Sequence, residues 1–219
     1  MRVREAALVV ARIAFAVLGV VAITYQFSTL DHTLASFSQE NFFSFFTIQS
    51  NILAVATLLA SGVVRGAMRT KLFDAIRGAV TLYIAITGVV FALLLAGRQE
   101  DLDTHIPWVD FVVHKLIPVV LVADWLIDPP RHRMPLRVAL AWLAYPLAWF
   151  GYTLVRGAST GWYPYPFVDV DRIGYGGVLW RSAIMLVAFT AAAVVIALVG
   201  NTRGRRLPTA APTGSAALS

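Results

Sequence analysis

Six apolar stretches, each about 20 residues long, follow one another along this chain with short polar segments between them, and that spacing leaves few folds open. At 1.5 Å per residue such a stretch spans about 30 Å as a helix, the thickness of a bilayer's hydrocarbon core. The stretches fall at about 6–30, 42–64, 76–97, 108–127, 135–156 and 176–200. Backbone in hydrocarbon must satisfy its own N–H and C=O groups, so each is expected to be helical. The expectation is an all-α integral membrane protein: one domain over 1–201, a bundle of six transmembrane helices, followed by a disordered tail at 202–219. Composition points the same way, with 58% of the 219 residues hydrophobic, 14% charged and a mean hydropathy of +0.72. An ordinary soluble domain is far less apolar. The first run is too long for a secretory signal, and no small-x-small cleavage site follows it, so it is read as an uncleaved span.

A net charge of +6 would suggest nucleic acid in a soluble protein, but here the basic residues sit between apolar spans and read as topology signals, so no nucleic-acid partner is expected. Arg2 and Arg4 precede the first span; Arg65, Arg69, Lys71 and Arg77 lie around the second connection; Arg131, Arg133 and Arg137 mark the fourth; Arg203, Arg205 and Arg206 follow the last. The alternate connections are poor in base: 31–41 has none, 98–107 sets Arg98 against Glu100, Asp101 and Asp103, and 157–175 sets Arg172 against Asp169 and Asp171. The positive-inside rule then puts both termini in the cytoplasm of a multi-pass protein of the cell membrane. The chain has no cysteine, which removes disulfides, thiolate metal ligands and thiol nucleophiles together. No cofactor and no metal is expected, and the partner is membrane lipid. The segment Gly161-Trp-Tyr-Pro-Tyr-Pro-Phe167 is either an interfacial anchor or a cavity lid.

Polar side chains inside a span are costly and so mark candidate sites. The second span opens with Asn41-Phe-Phe-Ser-Phe-Phe-Thr-Ile-Gln-Ser-Asn51, and the fourth with Asp110-Phe-Val-Val-His114-Lys-Leu-Ile-Pro118. Counted from the outer surface, Thr47 lies about 8 Å and His114 about 9 Å along their helices. Arg181 of the sixth span and Tyr152 of the fifth reach a similar level in the outer half. Imidazole has the pKa to remove a hydroxyl proton and return it near neutrality, which makes Thr47 and His114 a nucleophile and base pair. Asp110 sits one helical turn before His114 and is placed to orient its ring. Asn51 and Arg181 are the donors available to a developing oxyanion. Pro118 has no N–H for the His114 carbonyl, so that turn should be loosened. The structural alternatives are plain: threonine bonding one turn back, Asn51 and Gln49 joining helices, and His114 as a packing residue. Arg12 and Asp124, toward the inner leaflet, read as a structural ion pair rather than a proton path.

At these residues the chain resembles a bacterial-type relative of the androgen-induced-gene family, small polytopic proteins whose animal members hydrolyse fatty acid esters of hydroxy fatty acids. The resemblance covers about 6–200 and rests on the aromatic run ending in Thr47, on His114 followed by Pro118, on the basic second connection and on overall length. It implies that Thr47 and His114 are the essential pair. The expectation is a membrane-embedded threonine hydrolase that cleaves a lipid (fatty acyl) ester. The rival is a non-catalytic lipid-binding or transport protein that holds a headgroup without cleaving it. Haem or quinone electron transfer is disfavoured, because His114 alone of four histidines lies well inside a span. A rhomboid-like protease is disfavoured by the absence of a Gly-x-Ser-x-Gly or Gly-x-Ser-Gly motif.

Overall fold

A computed structural model describes residues 2–33, 37–64, 68–95 and 106–204, and the secondary structure of these residues is entirely helical. In chain order the helices are α1 (Arg2–Thr33), α2 (Gln39–Ser44), α3 (Phe46–Val63), α4 (Lys71–Val90), α5 (Pro107–Phe111), α6 (Ile117–Ile127), α7 (Leu136–Ala141), α8 (Ala144–Thr160) and α9 (Val170–Gly204). Five segments are long and apolar enough to cross a membrane: Val3–Thr33, Phe46–Val63, Lys71–Leu95, Leu136–Thr160 and Val170–Gly204. The stretch expected at 108–127 is an unbroken helical run from Pro107 to Ile127 whose middle, Val112–Leu116, is π-helical. The acidic segment with Arg98, Glu100, Asp101 and Asp103, the basic Arg65, Arg205 and Arg206, and 205–219 of the expected tail lie outside the described residues. Residues 202–204, expected in that tail, continue α9 instead.

Each departure from a straight span has a local cause. The second span is two helices, because Phe45 is extended (φ −66, ψ 128) between α2 and α3. The Ser44 carbonyl, which would accept the next helical hydrogen bond, is taken by the Trp149 indole N–H at 3.0 Å. In the stretch expected as the fifth span Pro146 has no N–H to give the Trp142 carbonyl, and the chain turns between α7 and α8. The Tyr83 hydroxyl donates to that carbonyl at 2.8 Å. Gly174, at φ 66 and ψ 162, kinks α9 just before the expected start of the sixth span. Pro118 leaves the His114 carbonyl without its helical donor, and the Ile117 N–H reaches back to Val112, closing a π turn. A second π turn, Phe91–Leu95, extends α4.

The core lies where α3, α4 and the 107–127 run meet, with Leu58, Leu82, Ile84, Ile117 and Leu121 at its centre. Gly88 lets α4 approach closely: a Cβ there would stand 3.1 Å from Pro118 and 3.2 Å from the His114 carbonyl oxygen. One end of the bundle is closed by charge. Arg12 donates to Asp124 (2.7 Å), to Asp128 (2.6 Å) and to the Ser61 carbonyl (2.8 Å). Arg77 donates to Asp124 at 2.7 Å, and Arg69 bridges Asp74 (2.6 Å) and Asp128 (2.8 Å). Asp74 also accepts from the backbone N–H groups of Arg131 and His132. The ion pair expected of Arg12 and Asp124 is therefore one link of a larger buried network. Both ends of the helical chain meet there: Arg4 donates to the Ile127 carbonyl and Arg203 to the Leu126 carbonyl, each at 3.3 Å. At the opposite end, Arg156 of α8 donates to Asn41 at 2.7 Å and its guanidinium lies over Trp162.

Candidate functional site

Thr47 stands in the first turn of α3, immediately after the break at Phe45, so its backbone N–H has no partner four residues back in its own helix. That N–H donates to the Tyr165 hydroxyl at 3.2 Å, and the Thr47 hydroxyl lies 3.2 Å from the same oxygen. Thr47 is buried, 9% exposed, and lines a cavity of about 290 Å3 between α3, the end of α4, α8 and α9. The other walls are mostly apolar and aromatic, with Phe46, Phe91, Trp149, Phe150 and Phe189 among them, and Thr87 and Ser182 add hydroxyls. Tyr165 and Phe167 come from the aromatic connection after α8 and stack with centroids 5.1 Å apart. This connection lids the cavity as well as bordering the bundle end. Burial pushes the Tyr165 phenol above its ordinary pKa, and hydrogen bonds from Thr47 offset only part of that shift. Tyr165 therefore stays a neutral hydroxyl near pH 7, able to orient Thr47 or donate to it but not to act as its base.

His114 belongs to the π turn of the 107–127 run. Its ring stacks on Phe91, with centroids 3.9 Å apart and planes 11° from parallel. Phe91 opens the other π turn and itself lines the cavity, so the residue against which the imidazole stacks is also part of the wall around the space that Thr47 lines, while His114 is not in that wall. The His114 Nδ1 has no hydrogen-bond partner among the described residues. Asp110 Oδ1 lies 3.6 Å from it, the right face of the helix but too long for a hydrogen bond. Among the described residues Thr47 and His114 share no hydrogen bond.

Asn51 joins the two halves. Its side-chain amide donates to the Thr47 carbonyl at 2.9 Å and to the Val113 carbonyl at 3.1 Å. Those two oxygens are thus within about 6 Å, two hydrogen-bond lengths, which brings the backbone of Thr47 beside that of the His114 turn. The donor expected for an oxyanion has both its N–H groups committed to this clamp. Comparison with family models, with curated proteins and with solved structures returns no match.

The other candidates stand further off. Tyr152 is 46% exposed, and its hydroxyl pairs with Ser44 at 2.8 Å, one turn before Thr47 rather than at it. Arg181 lines a separate groove between α4 and α9 and is not in the wall of the Thr47 cavity. Gln49 and Ser50 join helices: Gln49 accepts from the Tyr145 hydroxyl at 2.6 Å, and Ser50 meets Thr87 at 2.9 Å. Among the described residues no three His, Asp or Glu side chains cluster as a metal site requires. Tyr165 is the residue that sequence reasoning missed. It is one of several aromatics in a proline-rich connection, where no period or spacing singles it out.

Proposed function

We propose that this protein is an intramembrane threonine hydrolase of a lipid ester, a relative of the androgen-induced-gene family. Thr47 is its nucleophile and His114 its base. The observation that carries the reading is the position of Thr47, a hydroxyl at the N-terminus of an 18-residue helix, opening on an apolar cavity of about 290 Å3. An acyl chain fits such walls, and the ester carbonyl comes to rest beside the Thr47 hydroxyl. The Tyr165 O–H and the first N–H groups of α3 are the donors nearest an oxyanion formed there. Attack joins the Thr47 oxygen to the acyl carbon, His114 takes the threonine proton and passes it to the departing alcohol, and water then releases the acid by the same route. Phe91 must leave the face of His114 for this to occur. The π turns that carry Phe91 and His114 give both residues a loosened backbone for that movement.

In this reading the protein spans the cell membrane six times with both termini in the cytoplasm. The meeting of Arg4 and Arg203 with neighbouring carbonyls at one bundle end supports an even number of crossings, and the basic connections support a cytoplasmic assignment of that end. The site then lies in the outer half of the bilayer.

One observation favours the rival, a protein that binds lipid without cleaving it: His114 is covered by Phe91 and makes no hydrogen bond to Thr47. Steady-state hydrolysis of a fluorogenic long-chain acyl ester by the purified protein separates the two. The hydrolase reading expects turnover that is lost in both Thr47→Ala and His114→Ala. Tight lipid binding without turnover, or full turnover by Thr47→Ala, contradicts it.

A further inference from the structure

The second cavity of the bundle is larger than the first and chemically unlike it. It is a groove of about 840 Å3 between α4 with its π turn and the outer half of α9, walled by Val89, Leu93 and Leu94 on one side and Ile184 and Ala188 on the other. Arg172 and Arg181 border the same groove. Neither guanidinium has a hydrogen-bond, ion-pair or ring partner among the described residues, and both residues are exposed. Deeper in the long apolar helices Arg12 and Arg77 are matched by Asp124, and Arg156 by Asn41 and Trp162, whereas Arg137, which also has no partner among the described residues, stands at the very start of its apolar segment. Asp169 and Asp171 are close in sequence, but Asp169 accepts the Arg172 backbone N–H rather than its guanidinium. Arg181 lies seven residues past the Gly174 kink, about 10 Å along the helix, where an unmatched cation costs several kcal/mol in hydrocarbon.

We propose that this groove binds an anionic phospholipid, with its phosphate held by Arg172 and Arg181 and an acyl chain lying along α4 and α9. Charge complementarity selects an anion, and the planar guanidinium fork suits phosphate oxygens. From Arg181 the groove continues to Ala192, about 16 Å further along α9. A cationic end followed by an apolar trough has the order of a headgroup and its chain. The surrounding face of α9 is open, with Leu179, Trp180 and Val187 each more than half exposed, so the ligand enters sideways from the bilayer. There the anion on offer is a headgroup phosphate. The groove and the Thr47 cavity share Ile86, Val90, Leu95, Phe167, Met185 and Phe189 as a common wall. The proposal rests on the chain's lying in a bilayer and not on chemistry at Thr47.

The test is native mass spectrometry of the purified full-length protein exchanged into micelles that hold equal amounts of phosphatidylglycerol and phosphatidylcholine. Wild type is expected to retain phosphatidylglycerol with a preference of about tenfold, the size of one strong charge-assisted contact. The Arg172→Gln/Arg181→Gln double variant loses the preference. Ala188→Trp, which fills the trough with both arginines in place, loses the lipid. Thr47→Ala retains it, so the result is independent of hydrolysis. Equal retention of the two lipids by wild type, an undiminished preference in the double variant, or displacement of phosphatidylglycerol by equimolar oleate would overturn the proposal.

Discussion

At the scale of single residues, two contacts decide what Thr47 can do. The Asn51 amide ties the Thr47 carbonyl to the Val113 carbonyl, and the Tyr165 hydroxyl engages both the N–H and the hydroxyl of Thr47. Replacing Asn51 by Leu removes the side-chain donor to the buried Val113 carbonyl and leaves the Thr47 carbonyl to the Ser50 hydroxyl at 3.1 Å; it is expected to cost roughly 1–3 kcal/mol, measured as a drop in unfolding midpoint in detergent. Tyr165→Phe keeps the ring stacked in the lid and removes only the oxygen. It is expected to lower kcat by about 100- to 1,000-fold with little change in KM, the loss typical of one oxyanion-type donor. A wild-type kcat in that variant would remove Tyr165 from the site. The second span announced its own importance in the sequence, because polar groups in a phenylalanine-rich helix need partners. Which partners they find was not legible. Asn51 reads equally well as an oxyanion donor or a helix clamp, and only the fold shows both its hydrogens spent on carbonyls.

At the scale of elements, prolines and glycines explain why the spans are not plain rods. Pro118 could be read in advance, since a missing N–H must loosen the turn that holds His114. The Phe45 break could not. It depends on the Trp149 indole, more than a hundred residues away in sequence, reaching the Ser44 carbonyl. The turn at Trp142 is not read either: 135–156 is expected as one plain span, and the Tyr83 hydroxyl that satisfies the carbonyl freed by Pro146 comes from another helix. If the π turn is what sets His114 beside Phe91, Pro118→Ala should restore the ordinary hydrogen bond to the His114 carbonyl and rotate the imidazole. The expected outcome is unchanged or higher thermal stability with hydrolysis reduced at least about tenfold, since misplacing a catalytic group by an ångström costs that much or more. Wild-type activity in a stable Pro118→Ala protein would show that the π turn has no part in positioning His114.

At the scale of the whole molecule, the two ends of the bundle are built differently. One is fastened by Arg12, Arg69 and Arg77 against Asp74, Asp124 and Asp128, and it gathers α1, α3, α4, α6 and the segment around Arg131. The other carries the aromatic lid and the Thr47 cavity. The basic connections marked the first end in the sequence, but Arg69 and Arg77 were legible only as topology signals and Arg12 only as the partner of Asp124, because a network that joins several distant helices has no local pattern. Asp124→Ala strands two buried guanidinium contacts and is expected to destabilise the fold by roughly 3–5 kcal/mol. Asp128, just outside α6, adds a pH dependence. Burial works to raise its pKa, but Arg77, Arg12 and Arg69 outweigh that and hold it below its ordinary value of 3.8. Its contribution is therefore complete above about pH 4 and is lost as the pH falls through the depressed value. Acid titration of the unfolding midpoint in wild type and Asp128→Asn checks the sign, because the variant should lack that low-pH loss. The central claim, that Thr47 is a nucleophile, is tested most directly by treating the purified protein with a lipid-like fluorophosphonate and mapping the adduct by peptide mass spectrometry. The account predicts a single adduct on Thr47, absent from His114→Ala; an unlabelled Thr47 in protein that still hydrolyses the ester would contradict it.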